Sequence, residues 1–117
     1  MAHVLIIEDD DDTRDMLETY LRFTGHTTAC ACNGVEGFAR MCERKPCLVV
    51  LDLMMPVMSG WQFREAQLAD SALKDIPVVC VSAIYDNEHV TERLGIPCLA
   101  KPVDFDELSR LVTQACA

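Results

Sequence analysis

Short, continuous apolar runs alternate along this chain with stretches in which apolar residues recur at helical spacing. His3 to Ile7 is a run of the first kind and ends in the acidic stretch Glu8 to Asp12. Beyond Thr13 the period changes. Met16, Leu17, Tyr20, Leu21 and Phe23 predict one face of a helix, which Gly25 closes where a left-handed residue is wanted. Thr27 to Ala31 reads as a more polar strand near a sheet edge. Asn33 and Glu36 have capping-box spacing, and Val35, Phe38, Ala39 and Cys42 predict the apolar stripe of a second helix.

Leu48 to Leu51 has no polar alternation, as in a strand covered on both faces, and it ends on Asp52. Ser59 and Gln62 open a third helix through Trp61, Phe63, Ala66 and Leu68. Val78 to Val81 is another buried strand, ending on Ser82. Asn87 to Leu94 allows about two turns of helix before Gly95 and Pro97 stop it. Cys98 to Ala100 makes a short last strand before Lys101. Asp104 and Glu107 then cap a helix with the stripe Phe105, Leu108, Leu111, Val112 and Ala115. This alternation predicts an α/β fold with a doubly wound, five-stranded parallel sheet in the order 2-1-3-4-5 and helices on both faces. Residues 1–117 are expected to form one domain.

Such a sheet places ligands beyond the carboxyl ends of its strands. Glu8 and Asp9, Asp52, Ser82 and Lys101 all fall there. A loop-capping role is the alternative for Asp52, but three carboxylates in one crevice repel each other, and a hard divalent cation such as Mg2+ relieves that. A metal, a lysine and a hydroxyl together suit a phosphoryl group, with Asp52 as the nucleophile that becomes an aspartyl phosphate.

The net charge of -9 disfavours nucleic acid and anionic membranes. The chain has no apolar run near the roughly 20 residues of a spanning helix, and its amino terminus has no signal-peptide pattern, so the expected location is cytoplasmic. The seven cysteines then read as small core residues in a reducing compartment, without zinc-ligand spacing. His3, His26 and His89 stand apart, with no nucleophile beside them.

In order and separation, IIEDD, LDLMMPVMSG, VVCVSA and LAKP resemble the receiver domain of two-component response regulators, from about Val4 to Ala115. That resemblance implies a flavodoxin-like fold and a phosphorylation-dependent switch rather than an enzyme. Glu8 and Asp9 match the metal-holding acidic pair, Asp52 the phosphoacceptor, Ser82 the hydroxyl that follows the phosphoryl group and Lys101 its cationic contact. Met54 would lend Mg2+ a backbone carbonyl, and the Lys101 to Pro102 bond would be cis. The implied partners are a sensor histidine kinase or histidine phosphotransfer protein, and a downstream protein target or covalently linked effector domain. The chain would then be a stand-alone receiver or one domain of a longer protein.

Two departures bear on output. Cys98 stands where many members carry an aromatic residue, and the interval from Ser82 to Lys101 is short, so a non-standard output surface is expected and the oligomeric state is left open. Apolar Met54 and Ile84 at the rim imply a phosphoryl group lasting minutes or longer, unless they merely pack there. The rival functions are a non-phosphorylated pseudo-receiver, an aspartyl-phosphate phosphatase and a flavin-binding protein of the same topology, the last disfavoured because Asp9 to Asp12 would repel a flavin phosphate. The phosphatase would want an acid where Met54 stands.

Overall fold

The computed structural model describes residues 3–53, 55, 57–83 and 92–116. Strand β1 (His3–Ile7) leads to helix α1 (Asp11–Phe23), followed by β2 (Thr27–Ala31), α2 (Gly34–Glu43), β3 (Leu48–Asp52) and α3 (Gly60–Leu68). The chain continues through β4 (Val78–Ser82) and β5 (Cys98–Ala100) to α4 (Phe105–Ala115). The strands form one parallel sheet in the order β2-β1-β3-β4-β5. This is the predicted architecture. Of the expected helix from Asn87 to Leu94, residues 92–94 are described and helical, and the rest lies outside the described residues.

Alternating strand positions divide the core between two faces, because successive side chains of a strand point opposite ways. Leu5, Ile7, Val49, Leu51, Val78 and Cys80 pack with Met41 of α2 and Phe63 of α3. Val4, Ile6, Leu48, Val50, Val79 and Val81 pack with Leu17 and Leu21 of α1 and Leu108 and Val112 of α4. Every residue of β3 and β4 is buried, so the unbroken apolar runs follow from having helices on both faces.

Helix ends follow the predicted chemistry. The Ser59 hydroxyl accepts from the Gln62 amide while the Gln62 side chain accepts from the Ser59 amide, a complete capping box. Asn33 Oδ1 accepts from the Glu36 amide, and Asp104 accepts from the amides of Asp106 and Glu107. After α1, Gly25 has φ +97°. Its amide donates to Arg22 O and the next amide, of His26, donates to Leu21 O, the paired bonds of a Schellman ending.

Two predicted faces are corrected. Helix α2 exists, but Val35, Ala39 and Cys42 are exposed. The buried side is instead Gly34, Gly37 and Met41. A Cβ at Gly37 would lie 2.4 Å from Ile7 Cδ1, so the missing side chain lets the helix approach the sheet closely. Periodicity weighs apolar side chains and overlooks a face made of glycine. On α1, Leu17 and Leu21 are buried whereas Met16 and Phe23 are exposed, the latter by 89%.

The cysteines also depart from the expectation of reduced core residues. Cys47 and Cys116 are joined by a disulfide across a sequence separation of 69, tying the residue before β3 to the end of α4. Cys32 and Cys42 are exposed thiols. No local pattern could have revealed the pairing, because only the packing of α4 across the sheet brings the two sulfurs together.

Candidate functional site

The carboxyl edge of the sheet gathers the predicted polar residues. Asp52 and Ser82 are the last residues of β3 and β4, 2% and 0% exposed. Glu8 follows β1 and is fully buried, and Asp9 beside it is exposed. The backbone at this edge is pinned. The Glu8 amide donates to Ala31 O, and the Lys101 amide donates to Ser82 O at 3.0 Å. The Glu8 carbonyl in turn accepts from Arg14 of α1 at 3.0 Å, a contact that sequence reading missed.

One oxygen from each of Glu8, Asp9 and Asp52 can be chosen so that all lie within 4.8 Å of one another. Lys101 reaches into this cluster from beyond β5. Its ammonium donates to Glu8 Oε1 at 2.5 Å and lies 3.5 Å from Asp52 Oδ2. Burial alone would lower the Lys101 pKa. The Glu8 hydrogen bond and the charges of Asp52 and Glu8 outweigh that and hold it above the ordinary lysine value. The lysine therefore remains a cation, set against the Glu8 and Asp52 carboxylates.

One cation does not satisfy this acidic set. Glu8 Oε2 is buried and accepts no hydrogen bond among the described residues, which is costly for a carboxylate oxygen unless another positive centre is bound. Hard oxygen donors drawn from carboxylates fit a divalent ion of the magnesium class. The remaining expected donor, the Met54 carbonyl, lies outside the described residues, as does the Ile84 rim.

The connection between Asp52 and α3 is tightly packed. A Cβ at Gly60 would lie 2.6 Å from both Asp52 O and Leu53 Cα. The Gly60 amide donates to Leu53 O at 3.0 Å, so the first turn of α3 rests on the backbone that presents Asp52. Further along, buried Gln67 donates from Nε2 to Leu73 O and Ile76 O and holds the turn leading toward β4. Neither Gly60 nor Gln67 was a sequence candidate, since their roles need the fold. After β5, the Lys101 to Pro102 bond is cis, as the resemblance implied.

A parallel sheet of this order with an acid cluster and a lysine at its carboxyl edge places the molecule in a definable class of signalling domains. Residues 4–113 match the family described as the response regulator receiver domain, and the chain belongs to that family. The regulator RpaA of Synechocystis, described as a DNA-binding dual master transcriptional regulator, is 31% identical over 111 residues, covering 92% of this chain and 46% of that protein. Protein PilH of Pseudomonas aeruginosa is 28% identical and matches 100% of this chain and 99% of its own. The solved signal receiver domain of a DNA-binding response regulator from Colwellia psychrerythraea is 29% identical with a TM-score of 0.86, over 97% of each chain. The chain spans less than half the length of the first transcriptional regulators it matches. Among the described residues, no helix is long and apolar enough to cross a membrane.

Proposed function

We propose that residues 1–117 form one receiver domain that accepts a phosphoryl group on Asp52 from a histidine kinase or a histidine phosphotransfer protein. The observation that carries this reading is the buried Asp52 beside the Lys101 ammonium, 3.5 Å away, within a carboxylate cluster that has an unsatisfied buried oxygen. Glu8, Asp9 and Asp52, with the Met54 carbonyl, would hold Mg2+, which when bound offsets the carboxylate charge and the negative charge of the incoming phosphoryl group.

The protein residues have separable parts. An Asp52 carboxylate oxygen attacks phosphorus, an O–P bond forms, and the P–N bond to the donor imidazole breaks with its electron pair returning to nitrogen. Lys101 would move from its contacts with Glu8 and Asp52 to a phosphoryl oxygen, and the Ser82 hydroxyl would donate to another. Each charge-assisted bond contributes about 1.5–3 kcal/mol, enough for the two together to shift most of a two-state population. Output then passes to a protein target or a linked effector domain, in a cytoplasmic setting.

Intact mass after incubation with Mg2+ and a small phosphodonor tests this. A single phosphoryl adduct is expected that needs the metal and is lost in Asp52→Ala. A folded protein that binds Mg2+ yet gains no adduct from the donor or from phosphorylated kinases would support the pseudo-receiver reading, and continuous hydrolysis of a phosphate ester would support a phosphatase.

A further inference from the structure

Away from the acidic cluster, Cys80 and Cys98 face each other across the β4 and β5 pair. They are direct register partners, so their side chains leave the sheet on the same side. Adjacent strands are about 4.8 Å apart, inside the roughly 4.4–6.8 Å window of Cα separations that a disulfide bridges. The two sulfurs are 3.0 Å apart. A bonded pair stands near 2.05 Å, so a small rotation of the two side chains closes the gap. Both sulfurs belong to the apolar cluster packed under α2 and α3, and neither is in the existing disulfide.

The geometry points to a covalent modification site outside the acidic cluster: the Cys80 and Cys98 thiol pair, which hydrogen peroxide oxidises to a disulfide linking β4 to β5. Cys98 is partly exposed whereas Cys80 is fully buried, and burial pushes the Cys80 thiol well above its ordinary pKa. Cys98 is therefore the sulfur that meets the oxidant. Its thiolate attacks one peroxide oxygen, the O–O bond breaks, and a sulfenic acid and hydroxide form, the latter taking up the thiol proton as water. Cys80 sulfur then attacks the Cys98 sulfur. The S–S bond forms, the S–O bond breaks, and the departing hydroxide takes the Cys80 proton. In total, two thiols give two electrons to one peroxide and yield one disulfide and two waters.

The bond would act on a short edge strand. β5 has three residues and, among the described residues, lies at the sheet edge and pairs with β4 alone, so its amides are open to local fraying. A covalent link at the Cys80 and Cys98 register suppresses that fraying directly. It also fixes the spacing of the two strands that end at Ser82 and Lys101.

The test uses the full chain with its Cys47–Cys116 bond intact and with Cys32→Ser and Cys42→Ser, which remove the two exposed thiols. After brief exposure to hydrogen peroxide, the intact mass should fall by two hydrogens. Peptide mapping without reductant should recover the segments holding Cys80 and Cys98 as one species, which dithiothreitol separates. Hydrogen exchange at the β5 amides should slow by about tenfold or more, since opening now requires both strands to separate together. Cys98→Ser and Cys98→Ala should each lose the joined species. Recovery of Cys98 only as sulfinic or sulfonic acid, or as a bond to another cysteine, would overturn the proposal, as would a joined species whose β5 amides exchange as fast as before.

Discussion

Replacing Asp52 by asparagine should make the metal-free protein more stable. At an effective dielectric of about 20, two unit charges 4.8 Å apart interact by about 3.5 kcal/mol. One oxygen of Asp52 lies within 4.8 Å of one oxygen of each of Glu8 and Asp9, so Asp52 meets repulsion of about that size from each. Its attraction to the Lys101 ammonium at 3.5 Å returns about 5 kcal/mol. Neutralising Asp52 thus removes about 7 kcal/mol of repulsion and about 5 of attraction, a net gain of about 2 kcal/mol. Relief of desolvation at a side chain that is almost fully buried adds to the same sign. Urea unfolding at neutral pH in a chelator should place the Asp52→Asn midpoint above the parent.

Magnesium should then reverse the order. If the proposed site binds the ion, magnesium at 100 times the dissociation constant should stabilise the parent by about 2.7 kcal/mol, and the variant, lacking one of the proposed carboxylate ligands, should gain less. An Asp52→Asn protein no more stable than the parent in chelator would refute the electrostatic account of the cluster. Equal magnesium stabilisation of both would refute Asp52 as part of the metal site.

Three further outcomes follow from the packing and the charges. Gly60→Ala sets a Cβ against backbone atoms that cannot rotate away, so it should cost about 1–3 kcal/mol in urea unfolding and slow adduct formation at Asp52; an unchanged rate would show that α3 does not position that residue. Reducing the Cys47–Cys116 bond opens a loop with a sequence separation of 69, worth about 4 kcal/mol in the chain-entropy account, and matching unfolding midpoints for the oxidised and reduced forms would contradict it. Hydrogen bonding from the Cys30 thiol lowers the Glu18 pKa below the ordinary 4.5, helped by the charge of Arg22 and opposed by burial. Because the folded pKa is the lower one, Glu18 contributes stability above about pH 4.5 that is lost as pH falls through the folded value. Glu18→Gln should flatten that acid limb of the stability profile, and an unaltered limb would count against the Cys30 bond.

Strand β3 shows how far sequence alone reaches. Leu48 to Leu51 are apolar without alternation because helices cover both faces, so burial, parallel pairing and the exit of Asp52 at the carboxyl edge are all written into one run of residues. The caps at Asn33, Ser59 and Asp104 were legible for a similar reason, since each needs partners only three residues away. With strand order limited by right-handed crossovers, Glu8, Asp9, Asp52, Ser82 and Lys101 could be placed along one edge before any coordinates.

Contacts between distant segments were not legible. The buried face of α2 is built from Gly34, Gly37 and Met41, and a glycine's value lies in how closely another element approaches it. The Cys47–Cys116 bond and the Cys80–Cys98 thiol contact depend on which strand and helix ends meet. The pairing of Lys101 with Glu8 ahead of Asp52, and the bare Oε2 that this leaves, depend on ångström-scale distances that residue order does not carry. Local periodicity and capping specify elements and the ends at which they stop, because those rest on interactions within a few residues. Only tertiary packing decides which buried groups find partners, since that rests on the separation of atoms brought together by the whole fold.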